Sequence, residues 1–397
     1  MLLRRFSNCS RKGKIVAIAR RFETRLREEV VCYFCGNPMQ PFIQWRCSSC
    51  GGPGVLTYPH EFNTSYIKKS VNSMWRYRLM LPPSMQTNPV TLGEGMTPVC
   101  PAVTPNITMK LEYVAPTGSF KDRGSVALFT SLRNIVKDVK GVCEDSSGNA
   151  GASIAAYAAA LGLECRVFGG ESMLAEKALQ IRAYGADLRV VKGSRDDVAA
   201  EAQRQALEQG FVYVGHAWNP YFIEGLKTVA YEIAEQTSWN PPERIYTPVS
   251  AGTLLIGIIQ GFKELLEAGY IEKIPKIIAV QTIHCPPLYE AFKNVKLARE
   301  TKPSIADALT LTNPPRLRQM VEALRLVGGD VEVVSDEEIL RALKQMGLAG
   351  VYAEPSSAVA YAAVRRDLDK IVSMDEKVMV LVTGFGCKTT QHLQLVE

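Results

Sequence analysis

Beyond about residue 108, short apolar and β-branched runs alternate with longer stretches whose apolar residues recur at helical spacing. The short runs predict strands at Gly141–Glu144, Cys165–Phe168, Leu188–Val191, Phe211–Val214, Arg244–Val249, Ile277–Val280, Val331–Val334 and Val378–Val382. The longer stretches predict helices at Ala150–Leu161, Asp196–Glu208, Glu224–Gln236, Leu254–Ala268, Asp336–Met346 and Pro355–Leu368. Strand–helix alternation of this kind implies an α/β fold with parallel sheets covered on both faces. Residues 58–108 read as a connecting region, interrupted by Pro59, Pro82, Pro83, Pro89, Pro98, Pro101 and Pro105. No internal repeat or low-complexity stretch is present.

At 397 residues the chain exceeds the usual limit of one hydrophobic core, so two or more domains are expected. Its 47% hydrophobic and 22% charged residues are those of an ordinary globular protein. No apolar run approaches the roughly 20 residues of a membrane span, so no membrane partner is expected. The net charge of +6 is uneven. Arg4, Arg5, Arg11, Lys12, Lys14, Arg20, Arg21, Arg25 and Arg27 face a single acid, Glu23, within the first 27 residues. The remaining body is slightly acidic, which argues against nucleic-acid binding by it. Residues 1–29 are expected to be a disordered basic tail. Arg-rich and acid-poor, they also resemble an organellar transit peptide, a reading that requires a host with organelles. Ile15–Ala19 is too short, and too closely flanked by Arg, for a secretory signal.

Cys32, Cys35, Cys47 and Cys50 form two CxxC pairs 11 residues apart. Each pair can fold as a knuckle offering two thiolates, and two knuckles complete a tetrahedral site suited to Zn2+. Gly36 and Gly51 follow the pairs, where a knuckle needs positive φ. Four protein ligands would make the metal structural, and a ribbon spanning 30–57 would depend on it for folding. A redox dithiol or a metal-free ribbon are the alternatives. Cys9, Cys100, Cys143, Cys165, Cys285 and Cys387 sit in apolar contexts, as in a reducing cytoplasm.

The densest group of special residues is Pro116-Thr117-Gly118-Ser119-Phe120-Lys121-Asp122-Arg123-Gly124. A turn leads into a helix starting near Lys121, where the helix dipole disfavours a cation. An amine bound as an imine resolves that conflict; a surface lysine beside Asp122 and Arg123 is the plainer alternative. Asp145-Ser146-Ser147-Gly148-Asn149-Ala150-Gly151 joins a strand to an Ala-rich helix, an anion-binding geometry that suits a substrate carboxylate. Ordinary helix capping would also explain its Ser and Asn. Val249-Ser250-Ala251-Gly252-Thr253-Leu254 is a second such turn and suits a phosphate. A third special turn is Val382-Thr383-Gly384-Phe385-Gly386-Cys387-Lys388.

In this order and spacing, Pro116–Gly124, Ser146–Gly151, Ser250–Thr253 and Thr383–Lys388 resemble the fold type II pyridoxal 5′-phosphate (PLP) enzymes, the tryptophan synthase β family. Leu92–Pro98, Asn219–Thr228 and Glu354–Ala358 resemble the threonine synthases within it, one branch of which carries an N-terminal zinc ribbon. The resemblance covers about residues 30–390. It implies two interleaved parallel-sheet domains in 58–397, with a small domain of about 127–230 inserted in a larger one. Lys121 would carry PLP as a Schiff base and then move protons as a base. Asn149 would bond the cofactor's 3′ oxygen, and Ser250, Ala251, Gly252 and Thr253 would hold its phosphate. Thr383 would meet the pyridine nitrogen; a hydroxyl there makes the ring a milder electron sink. Ser146, Ser147 and Asn219 would bind the substrate.

The implied activity converts O-phosphohomoserine and water to L-threonine and phosphate. This chain departs from the family pattern at three places. Asp187 replaces an Arg of a Gly-Ala-Arg turn, Phe222 stands where an Arg often follows Asn219, and Ala150 stands where Thr often follows Asn149. Lys177, Arg182 or Arg189 could take over phosphate binding. The rival readings are a serine/threonine dehydratase, a β-replacing enzyme of the cysteine synthase kind, and a non-catalytic zinc-ribbon protein that binds nucleic acid. A homodimer is the expected assembly.

Overall fold

The computed structural model describes residues 28–393 apart from 103, 105, 299–301 and 374. The expected tail, residues 1–29, therefore lies outside the described residues except for its last two. Glu28 is anchored, accepting hydrogen bonds from the Ser84 amide and the Tyr221 hydroxyl. Glu29 already belongs to the first strand.

The N-terminal unit is a small antiparallel sheet of β1 (Glu29–Cys32), β2 (Pro38–Met39) and β3 (Gly54–Thr57), in the order β2-β1-β3. Its two knuckles close with hydrogen bonds from Gly36 N to Cys32 O and from Gly51 N to Cys47 O, each 2.9 Å. Both glycines have φ of +73°, as the spacing predicted. The unit docks through Phe42, stacked on Tyr221 at 4.9 Å, and Trp45, edge-on to Tyr213 at 5.3 Å. Beneath it, the fully buried Arg316 donates to the carbonyls of Gly54, Ala217 and Trp218.

A six-stranded sheet forms the large unit. Its strands are β4 (Val99–Pro101), β5 (Ile107–Leu111), β10 (Arg244–Pro248), β11 (Lys276–Thr282), β12 (Asp330–Val334) and β13 (Val378–Val382), ordered β12-β11-β10-β13-β5-β4. All its pairs are parallel except β4–β5, which is antiparallel. The second sheet, ordered β8-β7-β6-β9, is wholly parallel. It is built from β6 (Gly141–Glu144), β7 (Glu164–Gly170), β8 (Asp187–Val191) and β9 (Val212–Tyr213). Because β5 precedes this block and β10 follows it, the smaller sheet is an insertion in the larger one. The α/β class and the interleaving agree with the sequence reading; the antiparallel edge and the strands β4 and β5 were not foreseen.

The helices, in chain order, are α1 (Lys121–Ile135), α2 (Asn149–Ala160), α3 (Ala175–Ala183), α4 (Arg195–Gln209), α5 (Pro220–Gln236), α6 (Thr253–Glu267), α7 (Pro287–Lys293), α8 (Leu317–Leu326), α9 (Asp336–Leu348), α10 (Pro355–Arg366), α11 (Leu368–Ser373) and α12 (Thr390–Leu393). α5 packs against both α1 and α6 and is buried along most of its length. No described helix is long and apolar enough to cross a membrane.

An ion network runs through this core. Arg123 on α1 grips Glu112 through Nε at 2.7 Å and Nη2 at 2.8 Å. The same guanidinium meets both carboxylate oxygens of Glu232 on α5, at 2.9 and 3.0 Å. Lys110 on β5 also pairs with Glu232 and donates to Thr97 O at 2.7 Å. All four charged side chains are at most 1% exposed. Charges buried this deeply persist only when paired and hydrogen-bonded.

Candidate active site

The strands of both sheets end around one cavity of about 660 Å³. Lys121 faces it from the first residue of α1. Its Nζ lies 4.7 Å from the Phe120 ring centroid and 5.8 Å from that of Phe222. Burial pulls the amine down to about 8, against the opposing pull of Glu144 and Glu354. The plainer reading of the segment, a surface lysine beside surface charges, does not hold. Asp122 is buried and accepts from the Thr117 amide and hydroxyl and from Ser153, and Arg123 belongs to the core network.

Ser146, Ser147 and Asn149 line the same cavity at the start of α2. The first backbone bond of that helix runs from Ala152 N to Gly148 O at 3.1 Å. The amides of Asn149, Ala150 and Gly151 are thus available to an anion, aided by the helix dipole. The Asn149 side chain is held on both sides. Its Nδ2 donates to Glu354 Oε1 at 2.8 Å, and its Oδ1 accepts from Lys388 Nζ at 2.9 Å.

Ser250, Ala251, Gly252 and Thr253 line the cavity at the start of α6. Gly252 has φ of +83°, and a Cβ there would meet Met320 Sδ at 2.1 Å, so only glycine makes this turn. Ile256 N is the first amide bonded within the helix, to Gly252 O, which leaves the amides of residues 253–255 for a second anion. Thr383, at the end of β13, also faces the cavity. Ser357 on α10 fixes it: their hydroxyls are 3.0 Å apart, and Ser357 Oγ accepts the Thr383 amide at 3.1 Å. These residues fit PLP by their chemistry: an amine, a phosphate cradle, an amide donor and a hydroxyl for the ring nitrogen.

Asn219 lies elsewhere. Its side chain caps α5 by accepting from Tyr221 N at 3.0 Å, and it lines a small hollow against Phe42 and Trp45. Asp187 is also away from the cavity. It is half exposed and pairs with Arg189 at 2.7 Å and Arg166 at 3.6 Å; Arg182 is exposed and does not line the cavity. Phe222 packs against Gly124 of α1 and beside His216. Of the three replacement cations considered, Lys177 on α3 reaches the cavity, 2.6 Å from Asp307 and 3.7 Å from Glu354.

Sequence reasoning missed Glu144, Arg195, His216, Glu354 and Lys388. Arg195 opens α4 at the cavity wall and pairs with Asp145 at 3.0 Å. His216 follows β9 and meets Glu144 at the end of β6. Ends of parallel strands are where open α/β sheets bind ligands, and that positional signal could have singled out Glu144 and His216.

The four cysteine sulfurs of the N-terminal unit cluster within 4.8 Å of one another. Neighbouring sulfurs are 3.3 Å (Cys32–Cys50), 3.6 Å (Cys35–Cys47) and 3.4 Å (Cys35–Cys50) apart. Tetrahedral thiolates at zinc distance lie about 3.8 Å apart, so the cluster is close to the size such an ion requires.

Residues 90–384 match the family of pyridoxal-phosphate dependent enzymes. Threonine synthase of Methanocaldococcus jannaschii is 34% identical over 378 residues, covering 90% of this chain and 92% of that protein. Threonine synthase of Methanosarcina acetivorans is 32% identical, covering 91% and 92% respectively. Among solved structures, maize serine racemase matches with a TM-score of 0.64 at 24% identity, covering 73% of this chain and 88% of that one. A Rhizomucor miehei L-serine ammonia-lyase matches with a TM-score of 0.65 at 23% identity, covering 76% and 96%. These structural likenesses speak to the fold.

Proposed function

The chain belongs to the pyridoxal-phosphate dependent enzymes, and from that premise we propose that it is a threonine synthase, converting O-phosphohomoserine and water to L-threonine and phosphate. The observation that carries this reading is three anion-binding places around one depressed lysine amine. The amides at the start of α2 suit an α-carboxylate. Those at the start of α6 suit the cofactor phosphate. Lys177 and Arg195 offer a third place, on the wall formed by the smaller sheet. With the cofactor phosphate in one, a substrate carrying both a carboxylate and a phosphate fills the other two; serine or threonine would leave one idle.

Bound in this cavity, PLP would act as an electron sink for negative charge developing on substrate carbon. Lys121 would hold the cofactor and, once displaced, take and return protons at Cα and Cβ. An amine near 8 does this at neutral pH far better than an ordinary lysine. Ser146, Ser147 and the amides behind them would orient the carboxylate, Asn149 would donate to the cofactor's 3′ oxygen, and Thr383 would meet its ring nitrogen. Asn219 would act indirectly, by capping the helix that carries Phe222. Asp187 does not oppose the substrate phosphate, because it lies outside the cavity.

We assign a structural Zn2+ to Cys32, Cys35, Cys47 and Cys50. Backbone amides of Phe34 and Ser49 lie 3.4 Å from the sulfurs of Cys32 and Cys47, bonds that favour the thiolate forms. No disulfide joins the described cysteines, in keeping with the reducing cytoplasm proposed for the protein.

Purified, PLP-loaded protein incubated with O-phosphohomoserine tests the reading. Threonine and inorganic phosphate should appear in equal amounts. Absence of phosphate release, with ammonia formed from serine or threonine, would make the protein a dehydratase instead.

A further inference from the structure

One titratable pair in the site has no part in the roles above. Glu144, the last residue of β6, is fully buried. Its Oε1 lies 2.8 Å from His216 Nδ1, and its Oε2 accepts the His216 backbone amide at 3.2 Å. The imidazole stands between this carboxyl and the cavity, which it lines. With Nδ1 engaged, Nε2 is the ring nitrogen left for a ligand. The Phe222 ring neighbours both the pair and Lys121: its centroid is 5.7 Å from the imidazole and 5.8 Å from Lys121 Nζ.

The charged and titratable groups around the pair come from every neighbouring element. They are Lys121 on α1, Asp145 beside Glu144, Arg195 on α4, Tyr213 on β9, and the thiols of Cys143 and Cys165. Burial pushes Glu144 up to about 7, against the pull of Arg195 and Lys121. Burial and Lys121 hold the imidazole well below its usual range. Near neutral pH the pair thus keeps a transferable proton on the carboxyl beside a neutral ring. An acid with a pKa close to the working pH is well matched to proton transfer.

We propose that Glu144 and His216 form the second acid–base group of the site, giving a proton to the substrate phosphate as it leaves Cγ while Arg195 holds that phosphate. This rests on the threonine synthase reading. When the Cγ–O bond breaks, its electron pair stays on the phosphate oxygen, which takes the Nε2 proton of His216. Glu144 passes its carboxyl proton to Nδ1, and the product leaves as hydrogen phosphate. Lys121 is thereby free for the carbon protons. After hydrogen phosphate departs, the pair takes its proton back from solvent, and the water that adds its hydroxyl at Cβ loses its other proton through Lys121.

The test compares wild type, Glu144→Gln and His216→Asn on two substrates. O-Phosphohomoserine must lose phosphate; L-vinylglycine has the same carbon skeleton without a leaving group and needs only hydration. With O-phosphohomoserine, each variant should lose about 10²–10³-fold in kcat with little change in KM, and the pH limb near 7 should disappear. With L-vinylglycine, turnover should stay within about threefold of wild type. Equal losses on both substrates, or a KM effect with an unmoved pH profile, would overturn the proposal. A wild type that makes no threonine from either substrate would instead sink the threonine synthase reading. Imidazole ¹⁵N shifts of the wild type give a check without variants, since the chain has four histidines. The His216 ring should remain neutral at pH 6; a ring that titrates at its ordinary value would also overturn the proposal.

Discussion

Lys388 Nζ donates to Asn149 Oδ1 across 2.9 Å, tying the turn after β13 to the first residue of α2. The opposite edge of the same amide donates to Glu354. An amide held by a cation on oxygen and a carboxylate on nitrogen has one orientation. Replacing Lys388 with Met removes the group that tells the two edges apart. Cofactor should then dissociate about tenfold faster, followed as loss of the cofactor band after dilution into a trapping amine. An unchanged off-rate would show that the amide needs no such clamp.

The core network predicts a sharper penalty. Burial alone would raise the carboxyl of Glu232, but Arg123 and Lys110 overcome this and hold it at about 2. A carboxyl depressed in the folded state adds stability above its unfolded value of about 4.5, and that stability is lost as pH falls toward 2. Glu232→Gln should cost about 3–5 kcal/mol at pH 7, because Arg123 and Lys110 are left short of a counter-charge. Urea unfolding at pH 7 and pH 3 measures this. The gap between variant and wild type should narrow at the lower pH, and a constant gap would assign the loss to packing.

The same network explains what the sequence concealed. Lys110 interrupts the apolar pattern of Ile-Thr-Met-Lys-Leu, so β5 looked like connector, although it pairs along its whole length with β13 inside the six-stranded sheet. Its lysine is tolerated there only because Glu232, more than a hundred residues away, meets it. Pro98 and Pro101 hid β4 in the same way, for an antiparallel edge strand accepts proline. The strands of the smaller sheet were legible as short β-branched runs between helical stretches, although only β6 is buried at every position. Lys121, Asn149, Ser250–Thr253 and Thr383 were legible because local turn chemistry marks them. Glu144, His216, Arg195 and Lys388 gain meaning only from partners distant in sequence. Asp187 misled for the converse reason: its place in a motif suggested a phosphate contact that its side chain, turned to the surface, does not make.

The cysteine cluster can be separated experimentally from the chemistry. The N-terminal unit has three short strands, and its contacts with the body run through Phe42, Trp45 and Arg316. Cys47→Ser should lose bound zinc, read by elemental analysis, and lower the unfolding temperature. The cofactor band should remain, since none of the cysteines of the cluster lines the cavity. Loss of the cofactor band from a protein that remains folded would mean that the unit supports the cavity directly.

Lys121 supplies a prediction that can be read before any turnover is measured. A lysine must be unprotonated to attack an aldehyde. At pH 7 an ordinary lysine near 10.5 is neutral in only about one molecule in 3,000, whereas an amine at about 8 is neutral in about one in ten. Capture of added PLP by cofactor-free protein should therefore rise about tenfold per pH unit up to about pH 8 and level off above it. Burial favours the neutral amine, while Glu144 and Glu354 favour the ammonium. Glu144→Gln removes one of those carboxylates, so the plateau should begin at lower pH in that variant, never at higher. Stopped-flow absorbance of the forming cofactor–lysine band measures both proteins. A wild-type rate still climbing beyond pH 10 would make Lys121 an ordinary lysine and remove the physical basis for its role as the site's base.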